Sequence, residues 1–217
     1  MNYFAHWTPR YLCNRVQEVT YRVFHPHAPW LTPQANQILT VLIKPTDIGL
    51  EFGSGRSTLW LAQRVRHLTS VEHNTYWYDI TQKKLQEKNI SNTTYHFIPK
   101  EDADEEAGSN TAYVKIGQAI TDNSLNFVLV DGIYRGQCCL TVLRKIRPGG
   151  LLILDNANRY IPSQSYCPYS RTYQNGPYNT DWQTFLEQVS QWKLIWTSNG
   201  VTDTALYFKP VHAGSLS

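Results

Sequence analysis

The sequence predicts an α/β fold: a doubly wound, mostly parallel sheet of seven strands that ends in an antiparallel hairpin, the middle layer of a three-layer αβα sandwich. Three observations support this prediction. Short apolar runs alternate with helical patterns along most of the 217 residues. A turn with Gly53 and Gly55 joins the first strand to the next helix. The last two strands flank Asn199-Gly200, a connection so short that they must pair antiparallel.

The individual elements follow from apolar periodicity, caps and turn residues. Residues 8–24 have helical character, and Thr32-Pro33, a cap with proline at the first helical position, opens a helix that ends before Pro45. Strands are predicted at 47–52, 67–72, 95–99, 127–130, 151–154, 193–197 and 204–209, and helices at 57–65, 76–88, 135–146 and 181–191. Because strands and helices alternate, the strands should be parallel with helices on both faces.

We expect one domain, because a chain of this length buries a single core and no linker divides it. Residues 1–44 are expected to form N-terminal helices that pack on the core. Residues 45–210 form the main domain, and residues 211–217 form a frayed tail.

Composition and charge exclude several classes of protein. Hydrophobic residues make up 41% of the chain and the net charge of +3 is spread along it, which favours a folded domain and argues against nucleic acid as a partner. No apolar run approaches the ~20 residues of a membrane span, and the N-terminus lacks the apolar core of a signal peptide. We therefore expect a cytoplasmic protein with no membrane and no nucleic-acid partner.

The glycine turn has the form of a ligand-binding loop that opens a helix. Gly53 and Gly55 let a ligand approach the main chain closely, and the helix start offers free N–H groups. A dinucleotide fingerprint requires a third glycine where this chain has Thr58, and it has no counterpart of Glu51. A carboxylate at this position favours a cationic cofactor over a phosphate.

Four short motifs occur in the order and spacing of one large family. They are Glu51-x-Gly53-Ser54-Gly55-x-Ser57-Thr58, Val71-Glu72-His73, Val130-Asp131-Gly132 and Pro148-Gly149-Gly150. With the closing hairpin, they make the chain resemble the class I S-adenosylmethionine-dependent methyltransferases from about residue 47 to residue 210. The resemblance implies a Rossmann-like fold, S-adenosylmethionine as cofactor, and residues 45–210 as the methyltransferase domain.

The resemblance implies a cofactor site at the carboxyl ends of the first two strands. Glu72 would accept the hydroxyls of the ribose; the alternative is a cap for the following helix. Glu51 would lie near the cationic methionine part of the cofactor; the alternative is a surface acid at a strand end. The candidate cofactor-binding residues are Glu51, Gly53, Ser54, Gly55, Ser57, Thr58, Glu72, His73 and Asp131.

Three oxygen donors follow the fourth and fifth strands, which are adjacent in a sheet of this type. Asp131, Asp155 and Asn156 resemble the Mg²⁺ ligands of catechol-type and caffeoyl-coenzyme-A-type O-methyltransferases, in which the metal binds adjacent hydroxyls of the acceptor. Two carboxylates and an amide suit a hard octahedral cation, which would orient the acceptor and lower the pKa of its hydroxyl. The alternative for Asp155-Asn156 is a turn in which both side chains bond local backbone.

The catalytic assignment departs from that subfamily, because Tyr134 occupies the position of its catalytic lysine. Tyr134 is a candidate base if a nearby cation lowers the pKa of its phenol; His73 is a second candidate, and Asp131 completes the catalytic set. The sequence thus predicts transfer of a methyl group to a hydroxyl of a small molecule, with Mg²⁺ as a candidate cofactor. The alternatives are a metal-independent methyltransferase that acts on nitrogen or on a protein, and a non-catalytic nucleotide-binding protein.

A long connection at residues 158–180 follows this predicted site directly. Its tyrosines and arginines suit a lid or an acceptor wall, because long loops in compact domains are often functional. The same loop, or the N-terminal helices, could instead form the contacts of a homodimer.

Overall fold

A computed structural model describes residues 7–101, 108 and 110–211. Its helices are α1 Pro9–Phe24, α2 Pro33–Leu42, α3 Arg56–Ala62, α4 Thr75–Glu87, α5 Ala112–Ala119, α6 Arg135–Val142 and α7 Thr180–Gln188. Its strands are β1 Ile48–Phe52, β2 His67–Glu72, β3 Thr93–Phe97, β4 Leu125–Val130, β5 Ile146–Asp155, β6 Lys193–Ser198 and β7 Asp203–Phe208. Most of the predicted tail, from residue 212, lies outside the described residues.

The seven strands form one sheet in the order β3-β2-β1-β4-β5-β7-β6. Neighbouring strands are parallel except around β7, which runs antiparallel to both β5 and β6. The predicted fold class, with its closing hairpin, is therefore confirmed. The strand order reverses between β1 and β4, and the carboxyl ends of parallel strands open a ligand crevice at such a point.

Helices cover both faces of the sheet because the central strands are apolar on both sides. In β4, Phe127 and Leu129 belong to the core under α2, α3 and α4, whereas Val128 and Val130 belong to the core under α5, α6 and α7. Gly49 of β1 makes room for this layer, since a Cβ there would lie 2.1 Å from the ring of Phe127. Helices thus pack on both faces of the sheet, and loops form its carboxyl edge.

The start of α2 is tied to the closing hairpin. Thr32 caps the helix as predicted, because its hydroxyl accepts a hydrogen bond from the Ala35 N–H at 3.3 Å. The same hydroxyl lies 2.5 Å from that of Thr197 in β6, and the Thr32 N–H donates to the Thr204 hydroxyl in β7 at 3.2 Å. These buried bonds fix the α1–α2 connection over the carboxyl edge of the sheet.

Two elements differ from the sequence prediction. The prediction has no helix at α5, whose eight residues include Val114, Ile116 and Gly117, poor helix formers that are held by packing. Strand β5 begins at Ile146 rather than at residue 151, because Ile146 already pairs with Leu125 of β4; the register shifts before Leu151, where Gly149 takes a φ of +76°.

Helix α1 is mostly exposed, and Glu18 is its one buried residue. Apolar side chains on its outer surface are Leu12, Val16, Val19, Val23 and Phe24. They suit a contact with another molecule, and the homodimer remains a prediction. None of the helices in the described ranges has the length and apolar character needed to cross a membrane.

Candidate active site

A cleft of about 210 Å³ opens at the carboxyl edge, where the strand order reverses. Gly53 takes a φ of +91°, and a Cβ on it would lie 2.6–2.8 Å from the backbone of Asp131 and Gly132. Only glycine allows the turn after β1 to pass so close to the end of β4. The cleft is lined by Trp30, Leu31, Gly53, Ser54, Gly55, Arg56, Ser57, Glu72, His73, Trp77 and Asp131.

Glu72 is held as a carboxylate by four hydrogen bonds. The Ser54 N–H and hydroxyl donate to one oxygen at 2.7 and 2.8 Å, and the N–H groups of His73 and Asn74 donate to the other at 2.8 and 2.7 Å. Burial opposes ionisation, but these bonds outweigh it and keep the pKa of Glu72 below its usual value. Glu72 is therefore an ionised acceptor on the cleft wall at neutral pH.

The Ser54 hydroxyl can leave Glu72 without losing all its bonds. It also lies 2.6 Å from the Tyr95 hydroxyl, on the side of β3. A ligand hydroxyl can therefore replace it at Glu72, as ribose recognition requires.

Glu51 lies beneath the glycine turn and is fully buried. The hydroxyls of Thr58 and Ser70 each donate to its Oε2 at 2.6 Å, whereas its Oε1 is buried with no hydrogen-bond partner in the described chain. Burial raises the pKa of Glu51 to about 7. A positively charged ligand in the cleft would stabilise the ionised form of Glu51, because a nearby cation favours a carboxylate over the neutral acid.

Four residues that line the cleft are absent from the predicted set: Trp30, Leu31, Arg56 and Trp77. The Arg56 guanidinium lies 5.1 Å from the ring centroid of Trp30, and that of Arg22 lies 4.8 Å from the same ring. The Arg56 Nη1 is buried without a hydrogen-bond partner. Arg56 lies inside the glycine motif, so the sequence could have predicted that it lines the cleft. Nothing in the sequence indicates that Trp30 reaches the cleft.

The second set of predicted oxygen donors lies around Arg135. Its guanidinium lies 2.9 Å from the Asp131 carboxylate, and it donates to the Asp155 carbonyl at 2.7 Å and to the Asn156 side-chain oxygen at 3.3 Å. It also donates to the carbonyls of Asp131 and Gly132 at 2.8 and 2.9 Å. The structure thus brings two of the predicted ligand side chains, Asp131 and Asn156, to one guanidinium, which reaches Asp155 only at its backbone carbonyl.

The described residues do not fit the predicted Mg²⁺ site. The Asn156 amide nitrogen donates to the Thr202 hydroxyl at 2.5 Å, and Asp155 accepts from the Thr204 hydroxyl at 2.8 Å. Burial, reinforced by the charge of Asp131, raises the pKa of Asp155 to about 7. The Arg135 guanidinium already pairs with the Asp131 carboxylate, so a divalent ion would have to displace it. In the described ranges no cluster of three or more His, Cys, Asp or Glu side chains suits a metal ion.

The three candidate catalytic side chains differ in their access to the cleft. Tyr134 is 1% exposed and packs in the core beside Tyr113, so the structure does not support it as the base. His73 lines the cleft, but its ring lies 3.1 Å from Glu72, on the predicted ribose side. Asp131 lines the cleft with 33% of its side chain exposed, which leaves it as the candidate that can face an acceptor.

Solved structures share this fold, whereas no family model and no curated protein matches the sequence. A Streptococcus mutans protein, inferred to be a methyltransferase and solved with S-adenosylhomocysteine, has 13% identity and a TM-score of 0.55 over 81% of this chain and 96% of its own. A Geobacter sulfurreducens methyltransferase has 11% identity and a TM-score of 0.55 over 91% of this chain and 88% of its own. A Clostridium thermocellum protein, inferred to be an rRNA methylase, has 15% identity and a TM-score of 0.54 over 82% of this chain and 94% of its own. These similarities establish a fold that methyltransferases also have.

Proposed function

We propose that the chain is an S-adenosylmethionine-dependent methyltransferase that acts on a hydroxyl of a small molecule without a bound metal. The observation that carries the proposal is the pair of carboxylates at the glycine turn. Glu72 is an ionised acceptor on the cleft wall, and Glu51 has a buried oxygen without a partner. A nucleoside with a positive charge at its other end suits both. The fold shared with an S-adenosylhomocysteine complex supports this assignment.

The side chains of the cleft have separate tasks in this proposal. Glu72 accepts the ribose hydroxyls, the glycine turn lets the cofactor lie against the main chain, and Glu51 compensates its positive charge. When bound, the cofactor supplies an electrophilic methyl group on a sulfonium. The rigid sheet edge holds the acceptor oxygen in line with that methyl group, which is the main requirement of such a displacement.

Asp131 has the position to receive the proton of the acceptor. Methylation of the acceptor oxygen would replace its O–H bond with an O–C bond, and Asp131 would take up the proton; the electron pair of the broken C–S bond would stay with the bound cofactor. Arg135 binds one oxygen of Asp131, and the carboxylate remains partly exposed in the cleft. The cation that the sequence predicted as Mg²⁺ is in this proposal the guanidinium, which holds Asp131 in place.

Calorimetric titration with S-adenosylhomocysteine tests the proposal. The wild-type protein should bind it, and Glu72→Ala should weaken binding about a hundredfold, because two hydrogen bonds to a charged group are lost. Glu87→Ala, at an exposed acid of α4, is the matched control and should bind normally. Tighter binding of NADH than of S-adenosylhomocysteine, or equal affinity of the two variants, would contradict the assignment.

A further inference from the structure

A second and larger cavity, of about 1240 Å³, lies beside the cleft at the same edge of the sheet. It is lined by α1, the first turn of α2, the loop 161–177, α7 and the hairpin of β6 and β7. None of the predicted catalytic, cofactor-binding or metal-binding residues lines it, but the connection 158–180, expected to form a lid or an acceptor wall, contributes to it. We call it the hairpin cavity.

The hairpin cavity is adjacent to the proposed reaction centre. Leu31 lines the cleft and Pro33 lines the cavity, so the wall between them is the α1–α2 connection that Thr32 ties to the hairpin. On the other side, Asn156 bonds Thr202, next to the turn that lines the cavity. The cavity thus occupies the half of the sheet edge that the cofactor cleft leaves open, where an acceptor must lie.

Few charged side chains line the hairpin cavity. In the described chain they are Arg10 and Glu18. The Glu18 carboxylate forms ion pairs with Arg15 and Arg22 along α1. Arg10 lies over the ring of Tyr166, 4.9 Å from its centroid, and is the one cation among the described lining residues. A polyanion requires several lysines or arginines on one surface, so this lining does not suit nucleic acid.

Amide side chains and aromatic rings on the cavity lining can bind a ligand. Four amide side chains line the cavity and form no hydrogen bond with other described residues: Asn14, Gln17, Gln34 and Gln164. Aromatic surface comes from Tyr166, Tyr173 and Trp196, and the Tyr207 hydroxyl is buried without a partner in the described chain. Free amides pair with hydroxyl and carbonyl groups, and aromatic rings pack on flat ring faces.

From this lining we infer that the hairpin cavity is the acceptor site and takes an uncharged ring compound with several hydroxyl groups, such as a glycoside. The inference rests on the proposed function and names its class of substrate. The amides bind the hydroxyls, the tyrosines pack on the rings, and one hydroxyl reaches the cleft beside Asp131.

Calorimetry on protein saturated with S-adenosylhomocysteine tests the inference with two matched probes. Phenyl β-D-glucopyranoside and phenyl phosphate both carry a phenyl ring; the first bears a neutral sugar with four hydroxyls, and the second bears an anionic phosphate. The glucoside should bind at least about tenfold more tightly, because its hydroxyls meet the free amides, whereas the phosphate must give up its hydration and finds only Arg10, which already lies over Tyr166. Tyr173→Ala and Gln17→Leu should each weaken glucoside binding by about fivefold.

The controls are Tyr178→Ala and Gln86→Leu, which remove an exposed tyrosine and an exposed glutamine that line neither the cavity nor the cleft. They should bind the glucoside as the wild type does. Tighter binding of the phosphate or of a single-stranded RNA oligonucleotide would overturn the inference. Absence of glucoside binding, or equal effects of cavity and control variants, would also overturn it. If S-adenosylhomocysteine itself does not bind, the proposed function fails first.

Discussion

Two pairs of acidic residues lie at the carboxyl edge of the sheet, and they have different partners. At the ends of β1 and β2, Glu51 and Glu72 accept hydrogen bonds from hydroxyls and N–H groups and form no ion pair with a described lysine or arginine. At the ends of β4 and β5, the Arg135 guanidinium pairs with the Asp131 carboxylate and donates to the backbone carbonyl of Asp155. The first pair thus has no lysine or arginine partner among the described residues, whereas an arginine lies beside the second pair.

This difference indicates which half of the edge receives a charged ligand. Buried carboxylates without a cation are costly, and they are kept where a ligand completes them. A carboxylate that already pairs with an arginine offers little to an external cation. In our proposal, the cationic cofactor therefore lies at β1 and β2, and the acceptor lies at β4 and β5.

Removal of the built-in cation should have the largest effect. Arg135→Ala removes the cation beside the buried Asp155 and the partly exposed Asp131, together with its hydrogen bonds to three backbone carbonyls, so we expect a loss of about 3–5 kcal/mol in the free energy of unfolding. The same change removes the cation from the oxygen atoms of Asp131, Asp155 and Asn156, which then become available to a metal ion. Mn²⁺ should therefore raise the melting temperature of the variant but not of the wild type. Thermal unfolding with and without MnCl₂ measures both.

Arg144→Ala is the control, because its side chain is exposed and pairs with Asp122 at the surface. It should be nearly neutral and indifferent to Mn²⁺. Stabilisation of the wild type by Mn²⁺ would show that the guanidinium does not replace a metal.

The uncompensated acid should make stability depend on pH. The pKa of Glu51 is about 7 in the folded protein, above its ordinary value of 4.5, so its stabilising contribution is complete below 4.5 and lost as the pH rises through 7. Relative to wild type, Glu51→Gln should have equal stability at about pH 5 and gain about 3 kcal/mol at about pH 8. Urea unfolding at the two pH values measures the change, and Asp155, present in both proteins, cancels. A difference that does not vary with pH would mean that Glu51 is not the buried acid described.

A smaller effect is expected at Arg56, whose Nη1 lacks a partner in the described chain. If it binds the carboxylate of the cofactor, Arg56→Met should weaken S-adenosylhomocysteine about tenfold and leave 5′-methylthioadenosine, which lacks that carboxylate, unchanged. Arg64→Met, which removes another arginine stacked on a tryptophan, is the control. Equal losses for both ligands would assign Arg56 to folding instead.

Local signals made most of the fold predictable. Each of these signals depends only on neighbouring residues: the alternating apolar runs, the Thr32 cap and the Asn199-Gly200 turn. The structure confirms the fold that they predict, a parallel sheet with an antiparallel hairpin at one end. Helix α5 was not predictable, because its propensity is weak and its packing partners are distant in sequence.

Residues of the candidate site were predictable only where they lie in a recognisable sequence motif. Glu51 and Glu72 lie where the resemblance placed them, and their roles stay predictions. Arg135 follows the predicted metal ligand by four residues, yet only the folded chain shows its guanidinium inside the oxygen set. The contribution of Trp30 depends on how the N-terminal helices pack over the sheet edge, which no local pattern encodes.

The most direct test of the central claim is a crystal structure grown with S-adenosylhomocysteine and Mn²⁺ and read for both ligands. The account predicts nucleoside density with its ribose at Glu72, and no anomalous manganese peak between Asp131, Asp155 and Asn156. A manganese peak there with Arg135 displaced, or a nucleoside bound away from Glu72, would contradict it.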